Sequence, residues 1–192
     1  KEVCLLHGVT SSGKTEIYIK LIETYLQQGQ QILYLLPEIA LTTQLVSRLR
    51  NYFGNKVAVF HSKYNNNERV EVWKQVLENS EKAQIVIGAR SALFLPFSNL
   101  GLIIVDEEHE QTFKQQDPAP RYHARDAAIV LAHSHQAKVL LGSATPSIET
   151  YYNTQSGKFG LVTITERYGN VMMPNIVLVD LKEAYFRKSM SG

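Results

Sequence analysis

Gly8 and Gly13 stand five residues apart and are followed at once by Lys14 and Thr15. Two glycines at that spacing, then Lys and a hydroxyl residue, are the pattern of a phosphate loop. Glycines let the backbone curl until successive N–H groups point inward, and a helix opening behind them adds the positive end of its dipole. The segment Gly8, Val9, Thr10, Ser11, Ser12, Gly13, Lys14, Thr15 is therefore expected to cradle phosphate. Lys14 can reach the β- and γ-phosphates of a nucleoside triphosphate, and the Thr15 hydroxyl can ligate Mg²⁺. The apolar run Val3 to Leu6 ahead of the loop and the helical pattern from Lys14 supply the strand-loop-helix context.

A second group with chemistry is Asp106-Glu107-Glu108-His109, directly after the apolar run Leu102 to Val105. Acids after a strand also make a favourable helix start. In a chain with a phosphate loop, the first carboxylate can hold Mg²⁺ through its water shell and the next can orient or deprotonate a water. Asp106 is assigned to the metal and Glu107 to the water, so that Lys14, Asp106 and Glu107 are the expected catalytic residues and Thr15 with Asp106 the metal ligands. His109 is expected either to relay contact toward Ser143 and Thr145 or to be a simple helix-start residue.

Other segments follow apolar runs in the same manner. Pro37 to Thr42, Gly88-Ala89-Arg90-Ser91 and Gly142-Ser143-Ala144-Thr145-Pro146 bring hydroxyls, an Arg and backbone N–H groups. Each is also good loop and cap chemistry. The stretch from His109 to Arg125 interleaves Phe113, Lys114, Arg121, Tyr122 and His123. Single-stranded nucleic acid is held by that combination, aromatics for bases and cations for phosphates, although a loop pinned by one or two buried aromatics reads the same way. Thr42, Arg90, Ser91, His109, Phe113, Lys114, Arg121, Tyr122, Ser143 and Thr145 are the residues expected in DNA binding or in coupling it to the nucleotide.

The elements that must position these groups alternate. Helices are expected at about Lys14 to Gln27, Leu41 to Tyr52, a stretch capped by Asn65 and carrying Val70, Trp73, Val76 and Leu77, and Ala124 to Ser134. Short, wholly apolar strands are expected between them, Ile32 to Leu36, Val57 to Phe60, Ile85 to Ile87, Leu102 to Val105 and Val139 to Leu141, with weaker strands at Leu161 to Ile164 and Ile176 to Val179. Such a series implies an α/β fold with a mostly parallel sheet covered on both faces. Ligands then bind outside the carboxyl ends of the strands, where all the segments above begin. Trp73 is at core spacing and is given no functional role. His133 and His135 are two apart, not on one helical face, which argues against a metal pair.

With 192 residues, 44% of them hydrophobic and 20% charged, the chain can build one sizeable core. A net charge of +2 points to no polyanion by itself. The single cysteine, Cys4, excludes an internal disulfide and a cysteine zinc site, and is read as core. No apolar run approaches the roughly 20 residues that cross a bilayer, so no membrane partner is expected. The first residue is Lys1 on a core strand, and the chain is expected to be a piece of something larger.

Taken in order, the phosphate loop, Asp106-Glu107-Glu108-His109 and Ser143-Ala144-Thr145 resemble the first motor lobe of a superfamily-two helicase. Leu36 to Thr42, Phe60-His61-Ser62, Ile87 to Phe94, Tyr122 to Asp126 and Gly142 to Pro146 narrow the resemblance to the primosomal replication-restart helicases. Ala89 departs from that family's Gly-Thr-Arg-Ser box, which removes a hydroxyl and keeps Arg90 and Ser91. The resemblance implies a three-layer RecA-like lobe over residues 1–192, its tail from about 166 leading toward a second lobe. It implies ATP and Mg²⁺ as cofactors, with zinc only in parts of the longer protein. It further implies a bacterial cytoplasmic enzyme at the nucleoid that travels 3′ to 5′ on DNA. Its partners would be single-stranded and forked DNA, the second lobe, primosome proteins and single-strand-binding proteins. The other readings are a different phosphate-loop enzyme, such as a kinase or GTPase, and a nucleotide-binding scaffold. A GTPase should show Asn-Lys-x-Asp, which the sequence lacks. The catalytic arginine is expected from the second lobe, since Arg167 and Arg187 sit in no recognisable motif, so the lobe alone should turn over little ATP.

Overall fold

The computed structural model describes residues 1–61 and 64–167. Among these residues seven strands, β1 (Val3–Gly8), β2 (Gln31–Leu35), β3 (Val57–Phe60), β4 (Ile85–Gly88), β5 (Leu100–Asp106), β6 (Lys138–Ser143) and β7 (Gly160–Ile164), form a single sheet. Its order is β3-β4-β2-β5-β6-β1-β7, and all pairings between these strands are parallel. Helices α1 (Lys14–Gln27), α2 (Thr43–Phe53), α3 (Asn66–Leu77), α4 (Ala124–His135) and α5 (Ile148–Gln155) connect them.

Parallel neighbours need crossovers, and crossover helices cover both faces, so the strands must be apolar on both sides. That is why β2 is buried at every position. Alternation along β5 sends Leu102 and Ile104 to a cluster with Tyr18, Ile19 and Ile22 of α1 and Leu49 of α2. Ile103 and Val105 go to the opposite cluster, with Val72 and Val76 of α3 and Ala124, Ala128 and Ala132 of α4. The same alternation turns Asp106, the last residue of β5, to the α1 side. Cys4 is half-buried against the α1-side cluster.

Local chemistry fixes the helix starts. Asn65 and Glu68 form a reciprocal capping box on α3, the Thr42 hydroxyl accepts from the Leu45 amide on α2, and Ser147 caps α5. The helix after Gly142 to Pro146 is therefore capped by Ser147, leaving Ser143 and Thr145 free of that duty.

One packing expectation fails. Trp73 is 43% exposed, with Val70 and Leu77 exposed beside it, while Val72 and Val76 carry the buried stripe. β3 is an edge strand, so α3 has sheet beneath only one side and seats a stripe of two valines, rotated away from the tryptophan. The expected strand at 176–179, Ser62, Arg187 and the tail from 168 onward lie outside the described residues.

Candidate active site and nucleic-acid interface

The phosphate loop leaves β1 at Gly8 and enters α1 at Lys14. Its curl comes from two left-handed residues, Ser11 at φ 64° and Gly13 at φ 86°. Gly8 has a different reason to be glycine: a Cβ there would meet Ser12 Oγ at 2.7 Å. Lys14 Nζ donates to the Gly8 carbonyl at 2.8 Å, which lays the ammonium along the loop. Ser12 Oγ is buried with no hydrogen-bond partner among the described residues, the kind of orphan a bound oxyanion would satisfy. Thr10 to Glu16, Arg48, Asp106 and Glu107 line a cavity of about 770 Å³ here. Thr15 and Asp106, across one cavity, fit a magnesium ion by the chemistry of hydroxyl and carboxylate oxygens. A magnesium nucleotide bound there would supply the polarised terminal phosphate on which water acts.

Asp106 is held by three donors. Tyr18 Oη reaches Oδ1 at 2.9 Å, Tyr34 Oη reaches Oδ2 at 3.2 Å, and the Glu107 amide lies 3.1 Å from Oδ1. Burial pushes its carboxyl above the ordinary value, and the Tyr18 hydrogen bond, the Lys14 charge and Tyr34 pull it back. Gly142 stands opposite Asp106 on β6, and a side chain there would strike the Tyr18 hydroxyl and approach Asp106 Oδ1 to 3.1 Å. Glu107 sits at φ 52°, turned out of the strand. Its carboxyl is also raised, first by burial and then by the neighbouring Asp106 charge. A carboxylate raised toward neutrality is better suited to accept a proton from water.

His109 joins this carboxylate pair to β6. Its Nδ1 lies 2.8 Å from Ser143 Oγ and 3.7 Å from Glu107 Oε2, and Nε2 is 3.4 Å from Thr145 Oγ1. The Thr145 amide donates to Ser143 Oγ at 3.0 Å. The relay geometry expected for His109 is thus present. Ser143 is fully buried and cannot touch DNA itself, which leaves it only the coupling half of its expected role.

Glu108 has no role among the sequence expectations. It is fully buried and accepts from Arg125 Nη1 (3.1 Å), the Ser147 amide (2.7 Å), Ser147 Oγ (3.0 Å) and Thr150 Oγ1 (2.8 Å). Arg125 also binds Asp126 through Nε at 2.9 Å. Burial works against the guanidinium's charge, and Asp126 and Glu108 outweigh it. The quartet ties the end of β5 to the starts of α4 and α5. Tyr18, Tyr34, Glu108 and Arg48 are site residues outside the sequence expectations; for Glu108 alone the sequence carries a signal, the acid box together with the Tyr122-His123-Ala124-Arg125-Asp126 segment that supplies its Arg125 partner.

The remaining predicted residues gather on the other side of Asp106. Arg90 Nη1 donates to the carbonyls of Thr112 (3.1 Å) and Lys114 (3.3 Å), strapping the loop that follows the acid box, and Ser91 is half-buried in the same turn. Lys114 bridges His123 as a short antiparallel pair, and Gln115 Nε2 closes the tip onto the carbonyls of Pro118 (2.8 Å) and Pro120 (3.2 Å). Lys114, Arg121 and Thr42 are exposed. A second cavity of about 410 Å³ is lined by residues that include Pro37, Ile39, Arg90, Phe113 and Lys114. Phe113 is only 1% exposed and belongs to the core, so the expectation that its ring receives a base is corrected: it anchors the loop. An exposed aromatic beside Tyr122 is Phe94, 69% exposed, its ring T-shaped to that of Tyr122 with centroids 5.3 Å apart.

The DEAD/DEAH box helicase family model matches residues 1–154. Curated relatives from several bacteria carry the name Replication restart protein PriA. The one from Bacillus subtilis is 47% identical, the match covering 95% of this chain and 22% of the relative. The one from Haemophilus influenzae is 48% identical, covering 98% and 26%. The chain thus spans about a quarter of the length of these relatives. Among solved structures, RecG bound to a three-way DNA junction superposes with a TM-score of 0.67 at 21% identity, over 96% of this chain and 24% of that one. The Pyrococcus furiosus Hef helicase domain gives 0.59 at 19%, over 88% and 36%. At those identities the likeness establishes the fold, a RecA-like lobe. Among the described residues no helix is long and apolar enough to cross a membrane, and no group of three or more His, Cys, Asp or Glu could hold a metal.

Proposed function

Since the chain belongs to the DEAD/DEAH box helicase family, we propose that it is the ATP-binding first motor lobe of a DNA helicase acting in replication restart. The observation that carries this reading is the single cavity in which the phosphate loop, Asp106 and Glu107 meet. In it Gly8 to Thr15 hold the phosphates, Lys14 neutralises the terminal ones, Thr15 and Asp106 hold Mg²⁺, and Glu107 orients the water. His109, Ser143 and Thr145 couple that chemistry to the face bearing Thr42, Arg90, Ser91, Lys114, Arg121 and Tyr122. Single-stranded and forked DNA is the ligand assigned to that face. The name of the curated relatives and the DNA junction bound by RecG support the choice. Primosome and single-strand-binding proteins as partners, a bacterial cytoplasmic location and zinc elsewhere in the longer protein belong to the same reading.

ATP hydrolysis by the intact protein, with and without oligo(dT), tests it. DNA-stimulated turnover that Lys14→Ala abolishes is expected, and turnover indifferent to DNA overturns the reading. The 192-residue chain alone should bind nucleotide and hydrolyse it slowly, because the transition-state arginine of such motors comes from a second lobe and contributes about 10³–10⁵ in rate.

A further inference from the structure

Arg48 lies on the second turn of α2, yet it lines the phosphate cavity together with Glu16, Asp106 and Glu107. Its Nη2 forms an ion pair with Glu16 Oε1, the residue next to Thr15. Both side chains are about half exposed, so the pair does little to hold the fold. What it does is fix a guanidinium at the rim of the cavity. Asp106, to which the Tyr34 hydroxyl donates, lines that same cavity. The same helix begins at the Thr42 cap, and the turn just before it puts Glu38 and Ile39 in the wall of the second cavity. One element therefore has its start at the nucleic-acid face and its second turn at the nucleotide.

We propose that Arg48 reads the terminal phosphate of a bound nucleoside triphosphate, exchanging Glu16 for it, and that α2 carries the exchange to the Pro37 to Thr42 segment. The inference rests on the nucleotide reading above, in which Asp106 and Glu107 mark the terminal-phosphate end. A terminal phosphate offers the planar guanidinium a fork of oxygens and more charge than one carboxylate. A diphosphate has no group at that end, and Arg48 stays with Glu16. Arg48 is thus a discriminating and positioning residue of this chain, in addition to any arginine from another lobe.

The test is binding of ATPγS and of ADP, each with Mg²⁺, to the intact protein and its Arg48→Ala, Arg48→Lys and Glu16→Gln variants, with and without oligo(dT). Arg48→Ala should weaken ATPγS about tenfold, the loss of one charge-assisted contact, and change ADP less than about twofold. Arg48→Lys should recover part of the loss. Glu16→Gln, which frees Arg48, should tighten ATPγS and leave ADP unchanged. The factor by which oligo(dT) changes ATPγS affinity should fall toward one in Arg48→Ala. Equal weakening of both nucleotides, or of neither, overturns the phosphate-reading role, and full retention of the oligo(dT) factor overturns the relay through α2. Failure of the unaltered protein to bind either nucleotide would instead remove the nucleotide reading on which this rests.

Discussion

Glu108 and Arg125 form a buried ion pair, Oε2 to Nη1 at 3.1 Å, between the residue after the expected catalytic glutamate and the first turn of α4. Ser147 and Thr150 occupy the other acceptor positions of the carboxylate. Buried pairs contribute little net stability when whole, because desolvation offsets attraction, but breaking one strands a charge at a cost of about 3–5 kcal/mol. Glu108→Ala should therefore lower unfolding free energy by that order in urea denaturation of the chain. Replacing both partners, Glu108→Leu with Arg125→Met, should cost less than Glu108→Ala alone. A double variant less stable than the single one would show the pair itself to be net stabilising.

His109 touches both Glu107 and Ser143, which gives a prediction about coupling. His109→Ala and Ser143→Ala each remove the same contact, so their effects on DNA-stimulated ATP hydrolysis should not add. Each should reduce stimulation severalfold while nucleotide affinity changes little, since neither residue lines the phosphate cavity. Additive losses in the double variant would mean that the two act separately.

The two tyrosines on Asp106 oppose the upward push that burial gives its carboxyl. With burial raising its carboxyl and the hydroxyl donors lowering it, Tyr18→Phe or Tyr34→Phe removes a lowering contribution and should raise the carboxyl further. Metal binding needs the carboxylate, and a proton competes for it below that pKa. The acid limb of Mg²⁺-dependent nucleotide binding should therefore move to higher pH in either variant, and further in the double variant. Titrating ATPγS affinity against pH at fixed Mg²⁺ measures this, and an unmoved acid limb would mean that the hydroxyls do not govern Asp106.

The parts of this chain that were legible in its sequence are those that local chemistry dictates. The phosphate loop needs Gly8, Gly13, Lys14 and Thr15 at fixed spacing, and strands buried on both faces must be continuous apolar runs, so both could be read before any contact was known. Tyr18 and Tyr34 were not legible as Asp106's partners, because their separation of 88 and 72 residues from it is bridged only by sheet order and α1 packing. Trp73 misled for the complementary reason: helical spacing says which residues share a face, and the edge position of β3 decides which face is covered. Glu108 reads in the sequence as one more acid in a run, and its burial and its four donors, which set it apart from Glu107, appear only in the fold.

Phe113 and Phe94 separate two ways an aromatic can serve the loop after the acid box. Phe113 is core, packed among the residues that seat α4, so Phe113→Ala should cost about 3–5 kcal/mol of stability and act on nucleic-acid binding only through a loosened loop. Phe94 is exposed and T-shaped to Tyr122, on the same turn as Arg90, which straps the Lys114 carbonyl. If a base stacks there, Phe94→Ala should leave the melting temperature within a degree or two and weaken oligo(dT) binding by about 1–3 kcal/mol. Phe94→Trp should keep the affinity, since any π-face serves. An oligonucleotide of abasic sites supplies the internal control: the unaltered protein should lose affinity for it relative to oligo(dT), and Phe94→Ala should bind the two more nearly alike. Equal discrimination by both proteins would show that the bases are held elsewhere.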